Sequence, residues 1–183
     1  MKNIQFLREK RCFIFDLDGT LIDSLDFWFN DYPKFSTLQQ AYIAAKPIYD
    51  QKILPKSGSL EFVKAAHDSG ITCIIATATN LSVCSGCIKR IGYDKYIDSA
   101  FCCDDFSTVK TSPLFYNSVL KTTPYKKKDV IIFEDNASWA KVAYDDGFDI
   151  AAVYDGHSDD FERLKQFSKV DILSFFDAKK EIF

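Results

Sequence analysis

The sequence predicts an α/β fold: a central parallel sheet with helices on both faces, forming a three-layer sandwich with one small helical insert. Three observations carry that expectation. Short apolar runs alternate with helix-patterned segments through most of the chain, the signature of βαβ units. The runs 71–76 and 129–133 are almost continuously apolar, as strands buried on both faces require. The run 12–15 leads straight into Asp16, Leu17, Asp18 and Gly19, so a buried strand ends in acids and a turn-permitting glycine. That end of a parallel strand is where open α/β sheets bind ligands.

Taken in order, residues 1–10 read as a lead-in and 11–16 as the first strand, rich in β-forming side chains. Further strands are expected at 71–77, 98–102, 129–134 and 148–153, and helices at 58–69, 80–91, 112–121, 136–146 and 158–167. Gly58, Gly70, Gly92 and Gly147 stand at helix boundaries, where turns and left-handed caps fall. The segment 25–53 breaks the alternation. It is rich in aromatics, including Phe27, Trp28, Phe29, Tyr32, Phe35, Tyr42 and Tyr49, and reads as two helices, 24–31 and 35–50, parted near Pro33. Its length is too great for a loop and too small for a domain. Its aromatics suit either packing on the main core or a lid over the strand ends. The expected division is therefore a core of 1–24 and 54–183 with a small cap insert at 25–53.

Composition narrows the function. With 183 residues the chain is long enough to bury one real core, and a net charge of −3 gives no sign of a nucleic-acid surface. No apolar run approaches the roughly 20 residues that span a bilayer, and the first residues lack the apolar stretch of a signal peptide. A cytoplasmic monomer or homodimer without nucleic-acid or membrane partners is expected. Among six cysteines, Cys12 and Cys73 fall in apolar strands, while Cys84 and Cys87 have Cys-x-x-Cys spacing with Cys102 and Cys103 further on. A zinc site is conceivable there. The helical pattern around Cys84 and the lack of a nearby His favour free thiols instead. His67 and His157 receive no role.

The chemistry gathers at strand ends. Asp16 and Asp18 share a side if the chain stays extended past Leu17, and two acids so close need a cation. A calcium loop is excluded, because its twelfth position, counted from Asp16, is Phe27 and not a Glu. The second strand runs out into Thr77, Ala78 and Thr79, the fourth into Glu134 and Asp135, and Lys110 lies before a helix start. Several acids, one lysine and a hydroxyl suit a Mg²⁺-assisted phosphoryl site.

The run Phe15-Asp16-Leu17-Asp18-Gly19-Thr20-Leu21-Ile22-Asp23-Ser24 resembles the first motif of the haloacid dehalogenase superfamily, in its phosphatase and phosphomutase branch. The strand ending at Thr77, the Lys110 segment and Glu134–Asp135 resemble its later motifs in order. The resemblance implies a Rossmann-like core and a phosphomonoester phosphatase acting on a small phosphorylated metabolite. It implies Asp16 as nucleophile and Asp18 as general acid and then base, its backbone carbonyl also on the metal. Thr77, with Ala78 beside it, and Lys110 would bind the phosphoryl group, with Thr79 as a substitute for Thr77. Asp16, Asp18, Glu134 and Asp135 would hold Mg²⁺. A sugar phosphomutase, or a non-catalytic phospho-ligand-binding protein on the same fold, shares these residues. Two departures stand out: Trp139 where relatives commonly carry Gly, and Lys110-Thr111-Ser112-Pro113 where many have Lys-Pro-x-Pro.

Overall fold

The computed structural model describes residues 3–157 and 160–183. Six strands form one all-parallel sheet: β1 (Cys12–Phe15), β2 (Thr72–Thr77), β3 (Ser99–Cys102), β4 (Val130–Glu134), β5 (Asp149–Val153) and β6 (Val170–Ile172). Their spatial order is β3-β2-β1-β4-β5-β6. The chain first adds strands on one side of β1 and then returns to the other, so β1 sits at the reversal point where such sheets open a ligand crevice. Pairing sets the site's register. Phe15 lies opposite Ile75 on β2 and Phe133 on β4. The Asp16 amide continues this ladder by donating to the Phe133 carbonyl at 2.9 Å.

Strand alternation splits the core in two. Phe13, Phe15, Cys73, Ile75, Ile131 and Phe133 face one layer, while Cys12, Ile14, Ile74, Ala76, Val130 and Ile132 face the other. The first layer is covered by α2 (Ser59–Asp68), α3 (Leu81–Ile91) and the C-terminal α7 (Phe175–Ile182), with Phe13, Phe15, Phe62, Phe133 and Phe175 in mutual ring contact. The second is covered by α4 (Leu114–Lys121), α5 (Ala137–Asp145) and the short α6 (Phe161–Leu164). The expected helix at 158–167 is thus one turn, and its first two positions lie outside the described residues.

Two elements escaped the sequence pattern. Strand β6 is only Val170-Asp171-Ile172, too short to form an apolar run, and its buried Asp171 accepts the Ser168 hydroxyl at 2.6 Å. Helix α7 reads as charged, yet Phe175, Ala178 and Ile182 recur at helical spacing and are buried. The lead-in also does more than expected: a 3₁₀ segment, Ile4–Glu9, buries Ile4 and Leu7 on the core. All six cysteines are buried free thiols, and burial pushes Cys87 and Cys103 up to about 11. Among the described residues no helix is long and apolar enough to cross a membrane.

The insert leaves and rejoins the core at one point. The Asp23 amide donates to Leu54 (2.9 Å) and the Lys56 amide to Leu21 (2.8 Å), joining the two ends antiparallel beside the Ile22–Pro55 bridge. Between them run a π-helical turn (Phe27–Asp31), a 3₁₀ turn (Tyr32–Lys34) and α1 (Leu38–Gln51), capped by Thr37. Helix α1 packs along α3, burying Ala41, Ala45 and Tyr49. Arg90 of α3 donates to the carbonyls of Tyr49 and Ile53, tying down its end.

The turn following Leu17 is fixed from below. Tyr93 is fully buried, and its hydroxyl donates to the Leu21 carbonyl at 2.8 Å and meets the Ser59 hydroxyl at 2.6 Å. Removing that hydroxyl as Tyr93→Phe strips one donor from a buried carbonyl. The expected loss is about 1–2 kcal/mol in urea denaturation. An unchanged midpoint would show that this staple carries no stability.

Candidate active site

Asp16 is placed by β1 and buried by its neighbours on either side. Its Oδ1 lies 2.5 Å from Lys110 Nζ, and Lys110 also reaches Glu134 Oε2 at 2.9 Å. All three side chains are at most 1% exposed. The lysine arrives from the loop after β3, and Glu134 is the last residue of β4, so three separate elements converge. The Trp139 ring of α5 stands 4.8 Å from the same ammonium, a cation–π contact. The residue that departs from the family pattern thus contacts the lysine that keeps to it.

Glu134 is saturated by protein donors. Its Oε2 accepts from Lys110 and from the Tyr116 hydroxyl (2.9 Å), and its Oε1 from the amides of Asp135 and Asn136 (3.2 and 3.0 Å). Asp16 and Asp135 are less committed. Asp16 Oδ2 is buried without a partner, and Asp135 accepts at Oδ1 from Thr20 at 2.9 Å. Carboxylate oxygens of Asp16, Glu134 and Asp135 lie within 4.8 Å of one another. Burial, and then the Glu134 charge, drives Asp16 well above the usual carboxylate range and Asp135 up to about 8. For Lys110, burial alone would favour the neutral amine, but Asp16 and Glu134 outweigh it and hold the ammonium charged.

Gly19 allows the acids to approach. It adopts φ +77°, and an added Cβ would collide with the Asp135 carboxylate and Leu25. Its amide donates to Ile22 (3.0 Å), while Leu21 and Ile22 both donate to Leu17, so the chain doubles back immediately after Asp18.

The Asp18 side chain stands apart from that trio of carboxylates. Its Oδ1 accepts from Ser24 (2.5 Å), from Trp28 Nε1 (3.4 Å) and from the Tyr49 hydroxyl, which in turn accepts from Trp28 Nε1 at 2.7 Å. Its Oδ2 accepts from Thr79 at 2.7 Å and, at a long 3.4 Å, from Thr77. The Thr77 hydroxyl also accepts the Thr79 amide (3.0 Å). Thr79 and Ala78 line the cavity above Asp16, and Thr77 is fully buried beneath them. Sequence reasoning missed Ser24, Trp28 and Tyr49 as partners of Asp18. The tyrosine is 31 positions away, and only the packing of α1 on α3 brings it in. His157 lies elsewhere, 2.9 Å from Asp26 and 3.1 Å from Asp155.

The cluster makes a sharp stability demand on Lys110. Replacing it by Met leaves two buried acids without their counter-charge, which should cost about 3–5 kcal/mol in divalent-free buffer. Urea denaturation of Lys110→Met against the parent reads this directly. A loss below about 1 kcal/mol would mean that the lysine does not neutralise the pair.

With the fold and geometry in place, comparison with known proteins is informative. Residues 31–153 match the model of the haloacid dehalogenase-like hydrolase family, a stretch that contains Thr77, Lys110, Glu134 and Asp135 and starts after Asp16 and Asp18. No curated protein sequence matches the chain. Among solved structures, a protein assigned as a β-phosphoglucomutase from Thermotoga maritima superposes with TM-score 0.74 at 19% identity, covering 94% of this chain and all of that one. A haloacid dehalogenase-superfamily hydrolase from Ehrlichia chaffeensis gives 0.67 at 16%, covering 94% of this chain and 95% of that one. CbbY from Rhodobacter sphaeroides, in complex with phosphate, gives 0.73 at 15%, covering 92% and 96%. At these identities the superpositions speak for the fold, and the family model, spanning more than half of the sequence, places this chain in the haloacid dehalogenase-like hydrolase family.

Proposed function

We propose that this hydrolase is a Mg²⁺-dependent phosphomonoester phosphatase that works through an aspartyl-phosphate on Asp16. The observation that carries the reading is the buried Asp16–Lys110–Glu134 triad beside Asp135, with Asp16 Oδ2 left unpartnered. An oxygen-only donor set with an orphaned buried oxygen fits a hard cation. Asp16, Asp135 and the Asp18 carbonyl would hold it. Glu134, its oxygens already taken, serves mainly to hold Lys110 and enters the metal's surroundings through charge. When bound, Mg²⁺ offsets the carboxylate charge and polarises the phosphoryl oxygens.

The protein's own groups account for the remaining chemistry. A carboxylate oxygen of Asp16 attacks phosphorus as the ester P–O bond breaks, and Asp18 gives its proton to the leaving oxygen. Asp18 then takes a proton from water, which attacks the phosphorus of the aspartyl-phosphate and releases inorganic phosphate and free Asp16. Lys110 balances charge on the transferring group, and the Thr77 hydroxyl, loosely held by Asp18, donates to one of its oxygens. Thr79, at the shorter distance, fixes Asp18. Asp18 also argues against alkyl-halide chemistry, which needs no proton for its leaving group. The insert, closing over one side of the site, is the cap of this enzyme.

Two measurements test the reading. Phosphate release from an aryl phosphate should require Mg²⁺, stop with EDTA, and vanish in Asp16→Asn while thermal unfolding stays cooperative. Undiminished turnover in that variant sinks the nucleophile assignment. Asp18→Asn should slow turnover by about 10²–10⁴-fold for alkyl esters and far less for nitrophenyl phosphate, whose leaving group needs little protonation. Equal losses for both, under conditions limited by phosphoryl transfer to the enzyme, exclude the acid role.

A further inference from the structure

Above Asp16 lies a cavity of about 510 Å³, within the range of roughly 300–1,000 Å³ usual for small-molecule sites. Its floor is the phosphoryl site just described. Its upper part is built very differently. From the insert come Trp28, Phe29, Tyr32, Leu38 and Tyr42, and from the core side Val109 and Trp139. Trp28 and Tyr42 stand at 88° with ring centres 6.2 Å apart, forming a corner, and Tyr32 lies 5.6 Å from Trp28. Two polar tips on this wall are engaged: Trp28 Nε1 bonds Tyr49, and the Tyr42 hydroxyl donates to the Ala78 carbonyl at 3.4 Å, while the Tyr32 hydroxyl stands at the mouth. Phe29, Tyr32, Leu38 and Val109 are 56, 39, 48 and 57% exposed, so four of the protein's large water-exposed apolar side chains gather at one mouth. Such a grouping marks a binding surface rather than a chance scatter.

Charge narrows what can enter. Among the described residues lining the cavity, Lys110 is the only cation, and it is buried against Asp16 and Glu134. The charged residue outside the phosphoryl floor is Asp104, exposed and bonded to the Asn80 amide at 2.6 Å. A second phosphate or a carboxylate on the substrate would find no counter-charge and would face this acid. A sugar ring would place several hydroxyls against the insert's rings, where the Trp28 and Tyr42 tips are engaged and the Tyr32 hydroxyl alone could pair with them, at the cost of unpaired polar groups. A flat apolar group fits the corner by edge-to-face contact.

Resting on the phosphatase reading above, we infer that the substrates are monoesters whose alcohol portion carries no negative charge and bears an aromatic ring. The test compares esters of primary alcohols, so that leaving-group reactivity is closely matched: 2-phenylethyl phosphate, glucose 6-phosphate, 3-phosphoglycerate and phosphocholine, each with Mg²⁺. The kcat/KM for 2-phenylethyl phosphate should exceed the others by about tenfold or more, and Tyr32→Ala should erode that margin chiefly through KM. Equal or better turnover of any of the other three overturns the inference while leaving the phosphatase reading intact. Should neither these esters nor an aryl phosphate be hydrolysed, the phosphatase reading falls, and binding decides the cavity alone. Both tryptophans of the chain line it, so intrinsic fluorescence reports occupancy. Tighter binding of 2-phenylethylphosphonate than of 2-carboxyethylphosphonate supports the apolar subsite, and equal binding overturns it.

Discussion

The ammonium of Lys110, buried between Asp16 and Glu134, is the interaction on which the site depends. Three acids converge at the end of β1 and β4, and in a dry environment their mutual repulsion is severe. One lysine offsets two of them in part, which leaves Asp16 and Asp135 driven toward their neutral forms. The arrangement is therefore short of positive charge by design of its sequence. A divalent cation would supply the missing positive charge, its two charges matching the excess of three carboxylates over one ammonium. This explains why so costly a cluster sits where the sheet opens, rather than in the middle of the core.

Topology makes the convergence possible. Because β1 is central and pairs with both β2 and β4, its last residues neighbour the ends of two other strands at once. Side chains from 16, 134 and 135 meet through parallel register alone, without long loops. The turn after Leu17 then needs Gly19, whose backbone passes where any side chain would strike Asp135. The chain that follows is held by Tyr93 and Ser59 beneath and closed by the junction at 21–23 with 54–56. Rigid support of this kind lets carboxylates keep their separation before a ligand arrives.

Much of this was legible in the residues. The five longer strands, their parallel character and the convergence of Asp16, Lys110, Glu134 and Asp135 follow from apolar runs ending in polar groups. Strand β6 and helix α7 were not legible, since one is three residues long and the other shows mostly its charged face. The protein donors around Glu134 were also hidden, because Tyr116 reaches it from α4 and the backbone amides belong to a turn. Nor could sequence reveal that Tyr49 and Trp28 touch Asp18. Their spacing of 21 residues reflects two separate elements of the insert meeting over one carboxylate.

That meeting changes what the insert is for. Its aromatics were open to two readings, core packing or lid, and the π-helical turn accommodates both. Phe27 points into the core while Trp28 and Phe29, its immediate successors, line the cavity. Wide turns of this type are rare and concentrate at functional positions. On the far side of the insert, Tyr49 is buried in α1 and still reaches Asp18. The same short segment thus builds the apolar wall that would receive a leaving group and supplies donors to the acid that would protonate it. Burial of Tyr49, and then the nearby Asp18 charge, raise its phenol well above the ordinary range, so it stays a donor throughout. Any movement of α1 away from α3 would loosen both wall and acid together. Under the proposed mechanism, substrate fit and proton transfer would be coupled through the packing of one helix.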